Sequence, residues 1–140
     1  MNINKFTQKS MEAVQNCEKL AYEFGNQEID QEHLLKSLID QEDGLILKLI
    51  EKMEINTAHF SNRVTEDLNK KVKVQGGDLR ISNDLNKVLI TAEDEAKAMG
   101  DEYVSVEHLF LSLLKYPCQE QRFSYLLSLP EHLPAQFAGQ

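Results

Sequence analysis

This sequence has no tryptophan, two cysteines, and three prolines that all fall after residue 116. Cys17 and Cys118 are too far apart to form a C-x-x-C pair, so redox and thiolate-metal motifs are excluded, and both are expected to be reduced thiols. No apolar run approaches the length needed to cross a bilayer, and Met1-Asn2-Ile3-Asn4-Lys5-Phe6 lacks the charged and apolar regions of an export signal. A cytoplasmic protein with no membrane partner is therefore expected. Positive charge is also scarce, with 15 Lys and Arg against 23 Asp and Glu and a formal net charge of -8. That balance opposes the phosphate attraction behind non-specific nucleic-acid binding, and no nucleic acid is expected as a partner.

Catalytic signatures are absent as well. The chain contains no Gly-x-x-x-x-Gly-Lys phosphate loop, no Gly-x-Ser-x-Gly elbow and no cysteine placed with a basic partner, so the domain is not expected to be an enzyme. Acidic residues beside histidines on helices raise the possibility of a di-iron bundle, but Glu-x-x-His is not met: three residues before His33 is Asp30, and three before His108 is Ser105. No metal and no cofactor are expected. An enzyme built on surface carboxylates is the least supported reading, since charge on amphipathic helices is ordinarily a solvated face.

What the sequence does contain is a repetition. Tyr103-Val104-Ser105-Val106-Glu107-His108-Leu109-Phe110-Leu111-Ser112-Leu113-Leu114 restates Glu28-Ile29-Asp30-Gln31-Glu32-His33-Leu34-Leu35-Lys36-Ser37-Leu38-Ile39 at a spacing of 75 positions. The same spacing pairs Gly25 with Gly100 and carries the apolar stripe Val14, Cys17, Ala21, Phe24 onto Leu89, Ala92, Ala96, Met99. That stripe is one buried face of a helix. Each unit reads as a long helix, a glycine C-cap, an apolar residue, an N-cap and a second helix. A unit that cannot bury its apolar face alone packs against its sibling.

At 140 residues and 41% hydrophobic, the chain fits one all-α domain with its own core. Its layout is a pseudo-twofold pair of four-helix repeats, about eight helices in all: repeat one over about 6–74, a Gly76-Gly77 hinge at 75–80, and repeat two over about 81–137. Helices are expected from Thr7 to about Phe24, Asp30 to about Asp40, Leu45 to about Lys52, from Asn56 past Leu68, from Ser82 to about Met99, and from Ser105 to Tyr116. Residues 117–140 change character, with one short helix expected over Glu120 to Leu129 and a further start at Pro134. No strand is expected. His33 and His108 are expected half-buried, bonding a backbone or hydroxyl group of the neighbouring repeat. Asp101, just past the Gly100 cap, is expected to be nearly neutral for folding when replaced by Ala.

The duplicated unit, its Glu-His-Leu-Leu-type second helix, the glycine before it and the Gly-Gly spacer resemble the Clp amino-terminal domain, the double repeat of ring-forming AAA+ chaperones and unfoldases. Thr7, Val72-Lys73-Val74-Gln75-Gly76-Gly77, Asp84-Leu85-Asn86-Lys87-Val88-Leu89 and Ala96-Lys97-Ala98-Met99-Gly100-Asp101 resemble the ClpB-type branch most. Beyond Tyr116 the sequence departs from the family pattern, which continues with more charged helices; a divergent ending, a shifted reading frame and the end of a free-standing copy all fit. The resemblance implies a module, monomeric in isolation, that binds unfolded or aggregated polypeptide and passes it to the ATPase modules of a hexameric ring. Docking of an adaptor protein is the alternative. It further implies a shallow apolar groove rimmed by Thr7, Asp101 and Glu107, with Leu89 matching one groove leucine and His108 standing where a second is usual.

Overall fold

The structure, a computed structural model, describes residues 5–42, 44–74 and 76–115. Among these residues the order is α1 (Gln8–Glu23), β1 (Glu28–Ile29), α2 (Gln31–Asp40), α3 (Leu45–Lys52), α4 (Thr57–Asn69), β2 (Arg80–Ile81), α5 (Asn83–Ala98) and α6 (Val106–Lys115). The architecture is all-α, as the periodicity implies. The expected helix over Glu120 to Leu129, the start at Pro134, the end of repeat two and Cys118 lie outside the described residues.

Helix starts follow local chemistry. Thr7 accepts from the backbone N–H of Ser10, Asn56 from that of His59, and Ser82 from that of Leu85, each satisfying a donor with no partner inside its helix. Asp30 and His33 form a reciprocal capping box on α2. Both long helices end the same way: Gly25 and Gly100 turn into the left-handed region, at φ 72° and 76°. The next residue then donates back into the helix, Asn26 to the Ala21 carbonyl and Asp101 to the Ala96 carbonyl, each at 2.8 Å.

Within each repeat the second helix is fastened to the first by a buried serine. Ser37 Oγ donates to the Ala13 carbonyl at 2.6 Å, and Ser112 Oγ to the Val88 carbonyl at 2.7 Å, again 75 positions apart. Leu34, Leu35, Leu38, Leu109, Phe110 and Leu113 are fully buried on α2 and α6, the two helices at the centre of the domain. Burying each such side chain stabilises the fold by about 1.5–3 kcal/mol. Cys17 sits in this core with Sγ against the Ala13 carbonyl, and burial pushes its thiol up to about 12. It is a packing residue, not a nucleophile.

The expectation of no strand is corrected. Glu28 and Ile29 pair in parallel with Arg80 and Ile81, and Phe6 bridges in parallel to Val104. These two pairings are one interaction made twice, since 75 positions separate Phe6 from Ile81 and Ile29 from Val104. The flanking bonds match too: Ser82 N–H donates to the Ile29 carbonyl and Thr7 N–H to the Val104 carbonyl, both at 2.9 Å. The extended residue ahead of each long helix thus supplies backbone partners to the connector of the other repeat, whose peptide groups need them. A two-residue ladder is too short to leave an alternating pattern in sequence.

Candidate functional site

Three of the sequence-derived candidates, Asp101, Glu107 and His108, converge on the connector between α5 and α6. Gly100 reverses the chain, Asp101 follows it, and Glu107 and His108 stand in the first turn of α6. His108 is almost fully buried. Ser105 N–H donates to its Nδ1 at 2.9 Å, which places the proton of the neutral ring on Nε2, 2.8 Å from Asp101 Oδ2. The Ser105 hydroxyl lies 3.0 Å from the same Nδ1 and makes a short hydrogen bond to Glu107 Oε2. A cavity of about 320 Å³ opens here, lined by Met99, Asp101, Glu102, Tyr103, Ser105, Glu107 and His108. Met99 and Tyr103 are exposed, so the recess has apolar surface beside its carboxylates.

Three of the five candidates, Asp101, Glu107 and His108, line this cavity together. Thr7 caps α1 and reaches the same region through its backbone bond to Val104. Leu89 is 1% exposed and belongs to the core, so its side chain offers no surface for contact. Two expectations are corrected. His33 and His108 are buried rather than half-buried, and each ring bonds its own repeat, at the N-cap three residues before it and at the residue after the glycine seven before it. Asp101 also has a structural role, because its carboxylate holds the His108 ring. Tyr103 and Met99 were not singled out as site residues, although both lie in stretches the repeat picks out.

A counterpart exists in repeat one. Its cavity of about 330 Å³ is lined by Asn26, Gln27, Glu28, Asp30, Lys71, Val72, Val74 and Arg80. His33 Nδ1 accepts from Asp30 N–H at 2.9 Å, and Nε2 donates to Asn26 Oδ1 at 2.9 Å. Desolvation, aided by the nearby Lys71 cation and opposed by Asp30, lowers the His33 pKa to about 4. Lys71 Nζ lies 3.0 Å from Asp30 Oδ2 and 3.2 Å from Glu32 Oε2. Nothing in the repeat pattern marked Lys71, because the stretch after α4 has no counterpart among the described residues of repeat two.

Among the described residues no three His, Cys, Asp or Glu side chains are grouped so as to hold a metal ion, and no helix is long and apolar enough to cross a membrane. What the second cavity can do is accept hydrogen bonds, attract a cation and offer an aromatic and a thioether surface.

Comparison with known proteins places this geometry. The family model described as "Clp repeat (R) N-terminal domain" matches residues 5–128. The chaperone protein ClpB of Nitratidesulfovibrio vulgaris is 41% identical over 122 residues, a stretch covering 84% of this chain and 14% of that relative's length. The Hsp104 N-terminal domain from Candida albicans superposes with a TM-score of 0.82 at 20% identity, covering 96% of this chain and 89% of that one. A ClpV N-domain in complex with a VipB peptide gives a TM-score of 0.78 at 19% identity, covering 97% and 86%. The chain thus belongs to the Clp repeat amino-terminal domain family, and it is similar to the front part of a ClpB chaperone.

Proposed function

We propose that this domain is the polypeptide-recognition module of a ClpB-type AAA+ disaggregase, binding unfolded or aggregated chains in the cytoplasm and delivering them to the ATPase ring. The observation that carries the reading is the second-repeat cavity, where exposed Tyr103 and Met99 lie beside Asp101 and Glu107. Apolar surface rimmed by charge suits weak binding with little sequence preference. Each contact need contribute only about 1 kcal/mol, because several copies on a ring raise the effective concentration of a held chain. In this reading the domain does no chemistry, and ATP hydrolysis belongs to the ring.

A second reading, docking of a specific adaptor, is favoured by the ClpV N-domain that was solved with a VipB peptide. Titrating the 140-residue protein with a reduced, alkylated unfolded protein and with folded candidate adaptors separates the two. The proposal expects saturable binding of the unfolded chain, weakened by Tyr103→Ala and Glu107→Gln at unchanged melting temperature. Saturable binding to a folded adaptor alone contradicts it.

A further inference from the structure

The two repeats present the same groove, and in the first of them the chain itself lies across it. Val74 N–H donates to the Gly25 carbonyl at 2.8 Å, and Asn26 Nδ2 to the Val72 carbonyl at 3.2 Å. Lys71 Nζ reaches Asp30 and Glu32, and Lys73 Nζ donates to the Phe24 carbonyl at 2.9 Å. A Lys-Val-Lys-Val segment is thus held by two backbone carbonyls, the Asn26 amide and two carboxylates.

The repeat spacing carries Phe24, Gly25, Asn26 and Glu32 onto Met99, Gly100, Asp101 and Glu107, and Asp30 onto the neutral Ser105, so Glu107 alone answers the carboxylate pair that holds Lys71. The receiving backbone is conformationally the same, with left-handed glycines and equal 2.8 Å capping bonds. Among the described residues no group donates to the Gly100 carbonyl. The ion pairs of the described residues likewise give Asp101 only His108, and give Glu107 no lysine or arginine.

We infer that the second groove takes a lysine- or arginine-bearing peptide segment of another protein, in the register that residues 71–74 take on the first. A peptide N–H donates to the Gly100 carbonyl, one cationic side chain meets Glu107, and a second cation two residues on meets the Met99 carbonyl. Asp101 replaces Asn26 and can only accept, so it repels a peptide carbonyl and strengthens the demand for positive charge. Among residues 116–140 the sequence offers a single lysine or arginine, Arg122, where this register calls for two cations. This inference rests on the function proposed above and specifies the chemistry of its ligand.

The test uses the 140-residue protein, isotopically labelled, and a blocked peptide with the sequence Lys-Lys-Val-Lys-Val of residues 70–74. Its companion peptide carries glutamine at each lysine position. Amide shifts confined to Met99 through His108 are expected, with binding about tenfold weaker for the glutamine peptide, for Glu107→Gln and for Asp101→Asn, and weaker in high salt. Asp101→Asn retains an acceptor for His108, so its effect reads charge rather than folding. Equal affinity for the two peptides, or shifts confined to the first repeat, overturns the inference. So do Overhauser contacts in the free chain between residues 116–140 and Asp101 or Glu107, because the groove is then filled from within. If the lysine peptide fails while an unfolded protein still binds through Glu107, the inference falls and the proposed function stands. If neither binds, both fall.

Discussion

Repeat one and repeat two bury a histidine in the same turn, hold it by the same backbone N–H, and then differ at the atom facing its outer nitrogen. In repeat one that atom belongs to the amide of Asn26, and in repeat two to the carboxylate of Asp101. The carboxylates are redistributed accordingly. Repeat one keeps its pair at Asp30 and Glu32, against its own Lys71, and repeat two keeps its pair at Asp101 and Glu107, where the His108 ring bonds Asp101. A duplicated fold has thus preserved its scaffold in both halves while distributing its carboxylates differently between the two grooves. The shared parts hold the scaffold, and the unshared parts set the charge of each groove.

The largest effects test the shared scaffold. Leu34→Ala and Leu109→Ala empty equivalent, fully buried positions and are each expected to cost about 2–5 kcal/mol. Both are expected to lower a single unfolding transition, since the strand exchange ties the halves into one core. Two separate transitions in calorimetry would show that the repeats fold independently.

Next in size is Lys71→Met. It withdraws a cation from Asp30 and Glu32, whose side chains are 8% and 1% exposed, and is expected to destabilise by about 3 kcal/mol. It also removes one of the two causes that lower the His33 pKa, so that pKa is expected to rise above about 4. Denaturant melts and histidine titration by NMR check both. No comparable loss is expected from any single change at Glu107, which makes the difference between the grooves measurable.

Acid sharpens the comparison further. The His33 pKa falls from 6.5 to about 4 on folding, so above pH 6.5 the ring is neutral in both states and contributes no pH dependence. Between pH 6.5 and about 4 the unfolded chain binds a proton that the folded one refuses, and stability falls by on the order of 3 kcal/mol before levelling off. Asn26→Asp rebuilds repeat one in the image of repeat two. It is expected to raise the His33 pKa and reduce this acid loss, while costing about 1–3 kcal/mol near neutrality because the bond to the Val72 carbonyl is lost. An unchanged His33 titration in this variant would mean that the Asn-to-Asp difference does not set the character of the two sites.

The smallest effect concerns Asp101. Because it holds the His108 ring, Asp101→Ala is expected to cost about 1 kcal/mol, whereas Asp101→Asn keeps an acceptor and is expected to stay within about 0.5 kcal/mol of the parent. Equal melts for the two variants would remove the structural role assigned to this carboxylate.

Much of this was legible because the repeat spacing is itself a structural measurement. It paired Ser37 with Ser112 before either was known to bond the facing helix, and the N-caps Thr7, Asn56 and Ser82 marked their helix starts to the residue. The strand exchange was not legible, because a ladder of two residues has no period. The burial of Leu89 was written in the stripe that made it a helix-face residue, yet the family resemblance placed it in a groove. The histidines' partners were missed for a related reason: packing between repeats is the obvious demand of a duplicated helix pair, whereas a capping box is a local arrangement satisfied before the repeats meet. Lys71 left no mark because its importance comes from where α4 ends, not from any pattern it belongs to.

If the proposed function is right, polypeptide binds the second repeat's groove and not the first. Amide hydrogen exchange on the 140-residue protein, with and without a saturating unfolded protein, tests it most directly. Added protection at Gly100 through Glu107, with Gly25 through Glu32 unchanged, is the predicted result. Equal protection of both connectors, or protection of the first alone, would contradict it.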